Sequence, residues 1–116
     1  MIVVFGLNNC DTCRTALKWL TTLGIPHEFT DFRSSGLAET QLQSWIDDVG
    51  WEKLLNRRST SWRNLPKIHK QEMDETKAKA LMLFQLTLIK RPVFETKSGI
   101  FVGFTELEMQ LFREFT

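Results

Sequence analysis

Only two cysteines and two histidines occur among the 116 residues. A structural zinc centre takes about four ligands, and His27 and His69 stand at no zinc-finger spacing from the cysteine pair. No metal site is expected. The cysteines lie two residues apart, and a disulfide between them would close too short a loop to restrict the unfolded chain much. No apolar run approaches the ~20 residues needed to cross a bilayer. The apolar start, Met1 to Phe5, is too short and too soon followed by polar residues to act as a secretory signal. The expected home is therefore a reducing cytoplasm, where a cysteine pair is more often catalytic than structural. Fifteen Lys and Arg against fourteen Asp and Glu leave a net charge of +1, which gives no global attraction to nucleic acid or to anionic membranes. Repeats, low-complexity tracts and linkers are absent as well. What remains is one domain, residues 1–116, of ordinary globular composition and long enough to bury a core.

The cysteines themselves are the informative feature. They sit in the run Asn9-Cys10-Asp11-Thr12-Cys13-Arg14. Met1 to Phe5 reads as a buried strand before it, and Thr12 to Leu23 reads as a helix after it. A Cys-x-x-Cys between a first strand and a first helix is the placement expected of a thiol redox site. Unsatisfied N–H groups and the positive dipole end at a helix start stabilise an anion. Cys10 lies where that field is strongest, so its thiol should ionise more readily than a free cysteine. The thiolate is the nucleophile, and Cys13, one turn on, is placed to resolve a mixed disulfide. The plainer reading is two ordinary cysteines near a helix start.

Hydrophobic spacing predicts the rest. Ala16, Leu17, Leu20 and Leu23 continue the face begun by Cys13, and Gly24 stops the helix with Pro26 just beyond. His27 to Phe32 alternates as a second strand, parallel to the first through a right-handed crossover. Leu37 to Val49 is a helix with Leu42, Trp45, Ile46 and Val49 inward, ended by Gly50. Trp51 to Asn56 reads as a short helix, Arg57 to Pro66 as loop and turn, and Asp74 to Gln85 as a helix holding Ala78, Leu81, Met82 and Phe84. Pro92 leads into a strand, Val93 to Glu95, and Lys97-Ser98-Gly99 turns it into Ile100 to Val102. Thr105 and Glu108 form a capping box before a last helix, with Leu107, Leu111 and Phe112 facing the core. The fold class is thus α/β: a thioredoxin-like order with a four-stranded mixed sheet and an all-helical insertion, about 37–86, between the second and third strands. Lys53 to Lys70 carries six Lys or Arg and no acid. Trp51 and Trp62 give it the aromatic interleaving of a nucleic-acid surface, but both sit among leucines and read as core, so no nucleic-acid partner is expected.

Across essentially its whole length the sequence resembles the arsenate reductase-like (ArsC/Spx) family of thioredoxin-fold proteins. Within that family it is most similar to the small YffB-type members, described as glutathione-dependent thiol reductases. The motifs are Gly6 to Cys10 with Asp11-Thr12, Gly50 to Asn56, Arg58 with Thr60 to Arg63, Ile89 to Pro92, and Val102-Gly103-Phe104. The resemblance implies that Cys10 is the nucleophile and that Arg58 and Arg91 line an anion pocket beside it. It also implies a cis peptide bond before Pro92, which faces the cysteine. Asn9 and Thr12 beside Cys10 are assigned to the same anion-binding set. Arginine suits such a pocket, because it is a permanent cation with a fork of donors matching carboxylates and oxyanions; read from the residues alone, both arginines are plain surface charge.

Two features depart from the family pattern. Arsenate reductases place a third arginine shortly before the last helix, where this chain has Phe104, so the pocket has one cation fewer for a dianion. Cys13 is missing from many similar relatives, and it resembles the Cys-x-x-Cys redox switch of Spx-like regulators, which bind RNA polymerase. The first reading is accordingly a monomeric thiol-disulfide reductase with no bound cofactor and glutathione as co-substrate. The second is an Spx-like regulator docking on the RNA polymerase alpha subunit, and arsenate reduction is a third.

Overall fold

A computed structural model describes residues 1–114. The first strand, β1 (Ile2–Gly6), runs into helix α1 (Asp11–Thr22), which returns to strand β2 (His27–Asp31) and a single helical turn, α2 (Phe32–Ser35). A helical stretch follows: α3 (Glu39–Val49), α4 (Trp51–Leu54), α5 (Thr60–Arg63), α6 (Lys67–Lys70), α7 (Glu75–Phe84) and a 3₁₀ turn, Leu86–Leu88. The chain closes with β3 (Val93–Thr96), β4 (Gly99–Val102) and α8 (Glu106–Arg113). It divides into two compact units. One comprises Met1–Gly36 and the chain from Arg91 onward, and the other is Leu37–Lys90. Among the described residues no helix is long and apolar enough to cross a membrane.

The first unit is built on a mixed sheet in the order β2-β1-β3-β4, with β1 parallel to β2 and antiparallel to β3. This is the thioredoxin-like arrangement. Alternation along the strands decides which side chains reach its core. Ile2 and Val4 of β1 and Phe94 of β3 join Ala16 and Leu20 of α1, Ile25, and Phe112 of α8 in one buried cluster. Each large apolar side chain so buried contributes about 1.5–3 kcal/mol. An aromatic group extends the cluster: Phe94 meets Phe112 at 4.7 Å and Phe101 meets Phe112 at 5.6 Å, both edge-to-face. Helix α1 ends as its sequence implies. Gly24 takes a φ of 69°, and the Ile25 N–H donates back to the Leu20 carbonyl at 3.0 Å.

The second unit is helical and has its own core, with Leu42, Trp45 and Ile46 of α3, Leu54, Leu55, Ala78, Met82, Leu88 and Ile89 all buried. An isolated antiparallel bridge, Leu55 to Ile89, ties the end of α4 to the segment after the 3₁₀ turn. Asn56 N–H donates to Leu88 O at 2.8 Å, and Lys90 N–H to Leu54 O at 2.7 Å.

Several local expectations are corrected. The stretch read as loop and turn contains α5, whose start is capped by the Ser59 hydroxyl accepting from the Trp62 N–H at 3.1 Å. Turns α2 and α6 and the 3₁₀ turn are too short to leave a helical period in sequence. Leu107 points to solvent at 59% exposure, as do Leu23 at 42% and Phe84 at 86%. Each lies near a helix end, where helical spacing persists after the surface it would bury has run out. Trp51 and Trp62 are half-buried rather than core. The Arg57 guanidinium lies over both rings, 5.5 and 5.9 Å from their centroids, and Lys70 lies over Trp62.

Candidate functional site

The end of β1 hands the chain to a tight turn that delivers Cys10 to the start of α1. Cys10 N–H donates to Leu7 O at 3.2 Å, and Arg14 N–H to Cys10 O at 3.0 Å. Cys10 is therefore the N-cap residue of α1, in extended conformation. The neighbouring β2 holds this turn in place. Asp31 is the register partner of Gly6, and its carboxylate accepts from the Asn8 N–H at 2.9 Å while capping α2 through the N–H groups of Arg33 and Ser34. Those donors, Asn8 foremost, hold the Asp31 carboxyl below its ordinary range. Sequence reasoning missed Asp31, although an acid at the end of the strand paired with the one preceding the cysteine loop was a visible signal.

The two thiols have opposite electrostatics. Cys10 is half-buried, and that burial is the largest single influence on it and opposes ionisation. It is outweighed together by the N–H and thiol of Cys13, a hydrogen bond from the Arg91 side chain and the charge of Arg91, so the Cys10 pKa falls below the ordinary cysteine value. The sulfur closes no conventional cap hydrogen bond, yet the Cys13 N–H lies close enough to favour its anion. Cys13 is 1% exposed. Burial pushes its thiol up to about 12, and the adjoining Cys10 sulfur adds to the shift against the opposing Leu7 N–H and Arg91. Of the two sulfurs, Cys10 is the more readily ionised, and Cys13 keeps its proton at neutral pH.

Arg91 thus stands beside Cys10, with its Nε buried. The Arg91–Pro92 bond is cis, Pro92 is buried, and its carbonyl accepts from the Gly103 N–H at 2.8 Å. Asn9 and Thr12 are exposed on the turn and in the first turn of α1. Phe104 is half-buried, packed edge-on against Trp19 at 5.6 Å and against Phe94 at 6.2 Å. Arg58 belongs to the helical unit. It is exposed there and lines a cavity of about 380 Å³ with Lys53, Arg57, Lys90, Asn56 and Glu52. Among the described residues no group of three or more His, Cys, Asp or Glu side chains could hold a metal ion.

Comparison with known proteins agrees with this architecture. Residues 5–112 match the model of the ArsC family. An uncharacterized protein of Haemophilus influenzae is 42% identical over 110 residues, covering 95% of this chain and 96% of that protein. A global transcriptional regulator Spx of Streptococcus agalactiae is 26% identical over 114 residues, covering 97% and 82%. Among solved structures, a YFFB protein superposes with a TM-score of 0.89 at 35% identity, covering 96% of this chain and 97% of the other. An arsenate reductase (ArsC) related protein from Brucella melitensis superposes with a TM-score of 0.80 at 35% identity, covering 97% and 94%. With its cysteine loop, four-stranded sheet and near full-length match, the chain belongs to the ArsC family.

Proposed function

We propose that the protein is a thiol-disulfide oxidoreductase that reduces small mixed disulfides, with glutathione as co-substrate and Cys10 as the nucleophile. The observation that carries this reading is the pairing of a half-buried thiol of lowered pKa at a helix start with the Arg91 guanidinium. The Cys10 thiolate attacks the glutathione sulfur of a disulfide R–S–S–G, forming a Cys10–glutathione bond, breaking the S–S bond and expelling RS⁻, which takes a proton from water. A glutathione thiolate then attacks the glutathione sulfur of that adduct, releasing oxidised glutathione and restoring the Cys10 thiolate. Over the cycle the R sulfur of the mixed disulfide is reduced to a thiol and one incoming glutathione thiol is oxidised, while the glutathione sulfur of the mixed disulfide passes at the disulfide level through Cys10 into oxidised glutathione. Arg91 stabilises the thiolate both as attacking group and as leaving group. Asn9 and Thr12, exposed beside Cys10, supply polar contacts to glutathione.

Turnover of a cysteine–glutathione mixed disulfide, coupled to glutathione reductase and NADPH, tests the reading. Wild-type protein should be active and Cys10→Ser should not. Wild-type protein that is inactive while its Cys10 reacts normally with iodoacetamide would rule the reading out. The match to Spx regulators over 114 residues, together with the Cys-x-x-Cys, favours a second reading. There the pair is a redox switch and the partner is the RNA polymerase alpha subunit. Retention of that subunit on the immobilised protein, lost on oxidation of the cysteines, would favour it over the enzyme.

A further inference from the structure

Gly6 occupies the last position of β1, where glycine has no conformational reason to be. Its backbone is outside the left-handed region that the chain's positive-φ glycines occupy. Glycine in a strand costs stability relative to residues with a side chain, so its presence here has another cause. The cause is space. A methyl group on Gly6 would overlap the Cys13 sulfur, while Cys13 Cβ and Phe29 Cε1 would lie at an ordinary 3.5 Å. The buried Cys13 sulfur therefore rests directly on the bare backbone of β1, in the site a side chain would otherwise fill.

We propose that Gly6 is a positioning residue of the thiol site: by lacking a side chain it seats the Cys13 thiol where that thiol donates a hydrogen bond to the Cys10 sulfur. The proposal rests on the reading of Cys10 as nucleophile and adds the means by which its anion is held. Both the N–H and the thiol of Cys13 act to lower the Cys10 pKa. The N–H is fixed by α1, but the S–H depends on where the sulfur lies. A sulfur displaced by a methyl on β1 cannot keep that contact, because the surroundings of a side chain only 1% exposed leave it little room to move elsewhere. High burial also keeps the proton on Cys13, which is what makes it a donor rather than a second thiolate.

The test is a double-mutant cycle read by thiolate absorbance against pH, on the full chain, with circular dichroism as the check on folding. Gly6→Ala should move the Cys10 titration midpoint upward by roughly half to one pH unit, as expected for losing one weak donor to the anion. Cys13→Ala should move it by a similar amount. Gly6→Ala added to Cys13→Ala should change nothing further, because the alanine at position 13 leaves space for the new methyl. A folded Gly6→Ala protein with the wild-type titration overturns the proposal, and so does an equal further shift in the Cys13→Ala background. Should Gly6→Ala alone not fold, a double variant that folds with the Cys13→Ala titration supports the seat, and one that also fails to fold contradicts it. The titration reports on the sulfur and not on turnover, so its outcome is separate from whether glutathione adducts are substrates.

Discussion

At the scale of single residues, two thiols three positions apart differ because one faces a cation and the other faces the interior. Cys10 carries a pKa below that of an ordinary cysteine, and Cys13 one pushed up to about 12. The thiolate is the reactive form, so reactivity at Cys10 should rise with pH through that lowered midpoint and level off. It should show no second rise until the pH nears about 12. Timed iodoacetamide labelling at neutral pH should therefore modify Cys10 well before Cys13, and faster labelling at Cys13 would reverse the assignment. Arg91→Ala removes a charge-assisted donor from the sulfur and should move the Cys10 titration midpoint upward by roughly one pH unit. An unchanged absorbance titration in that variant would show that the guanidinium does not act on Cys10.

At the scale of elements, the turn that carries Cys10 is as well made as the helix it opens. Asp31 fastens one side of it and the N-terminus of α1 receives the other. Elsewhere in the same unit, Glu108 caps the start of α8 by accepting from both the N–H and the hydroxyl of Thr105, at 2.6 Å each. Glu108→Ala leaves those donors without their carboxylate and should cost about 1–2 kcal/mol in urea denaturation. A loss within error would mean that water replaces the carboxylate freely. The capping box, the strand order and the Cys10 loop were legible in sequence because each leaves a local mark: a spacing of three, an alternation, or an apolar run closed by glycine. Turns such as Phe32–Ser35 and Lys67–Lys70 were not, because one turn of helix has no period to read. Asp31 could be read from the expected pairing of β1 with β2, whereas the seat at Gly6 could not, since a helix side chain resting on strand backbone leaves no mark in the spacing. The same applies to Leu107, which has helical spacing but no surface opposite it.

For the whole molecule, the question is which chemistry the family's thiol site serves here. Where arsenate reductases carry a third arginine this chain has Phe104, whose ring packs against Trp19 and Phe94. A missing charge-assisted hydrogen bond to a dianion costs about 1.5–3 kcal/mol, or roughly tenfold to a hundredfold in rate. Arsenate turnover should accordingly be near background. The packing adds a condition to the obvious repair. Phe104→Arg would raise arsenate activity only at a stability cost of about 2 kcal/mol from the broken aromatic contacts, visible as a lower Tm. Robust arsenate reduction by the unmodified protein, abolished in Cys10→Ser, would place the substrate class elsewhere. The proposed mechanism requires Cys10 to be the sulfur that takes up and releases the substrate thiol. Mass spectrometry of the protein, quenched early after mixing with oxidised glutathione, tests it most directly. The expected result is one glutathione on the Cys10 peptide, none on Cys13, and none in Cys10→Ser; glutathione appearing first on Cys13 would contradict the account.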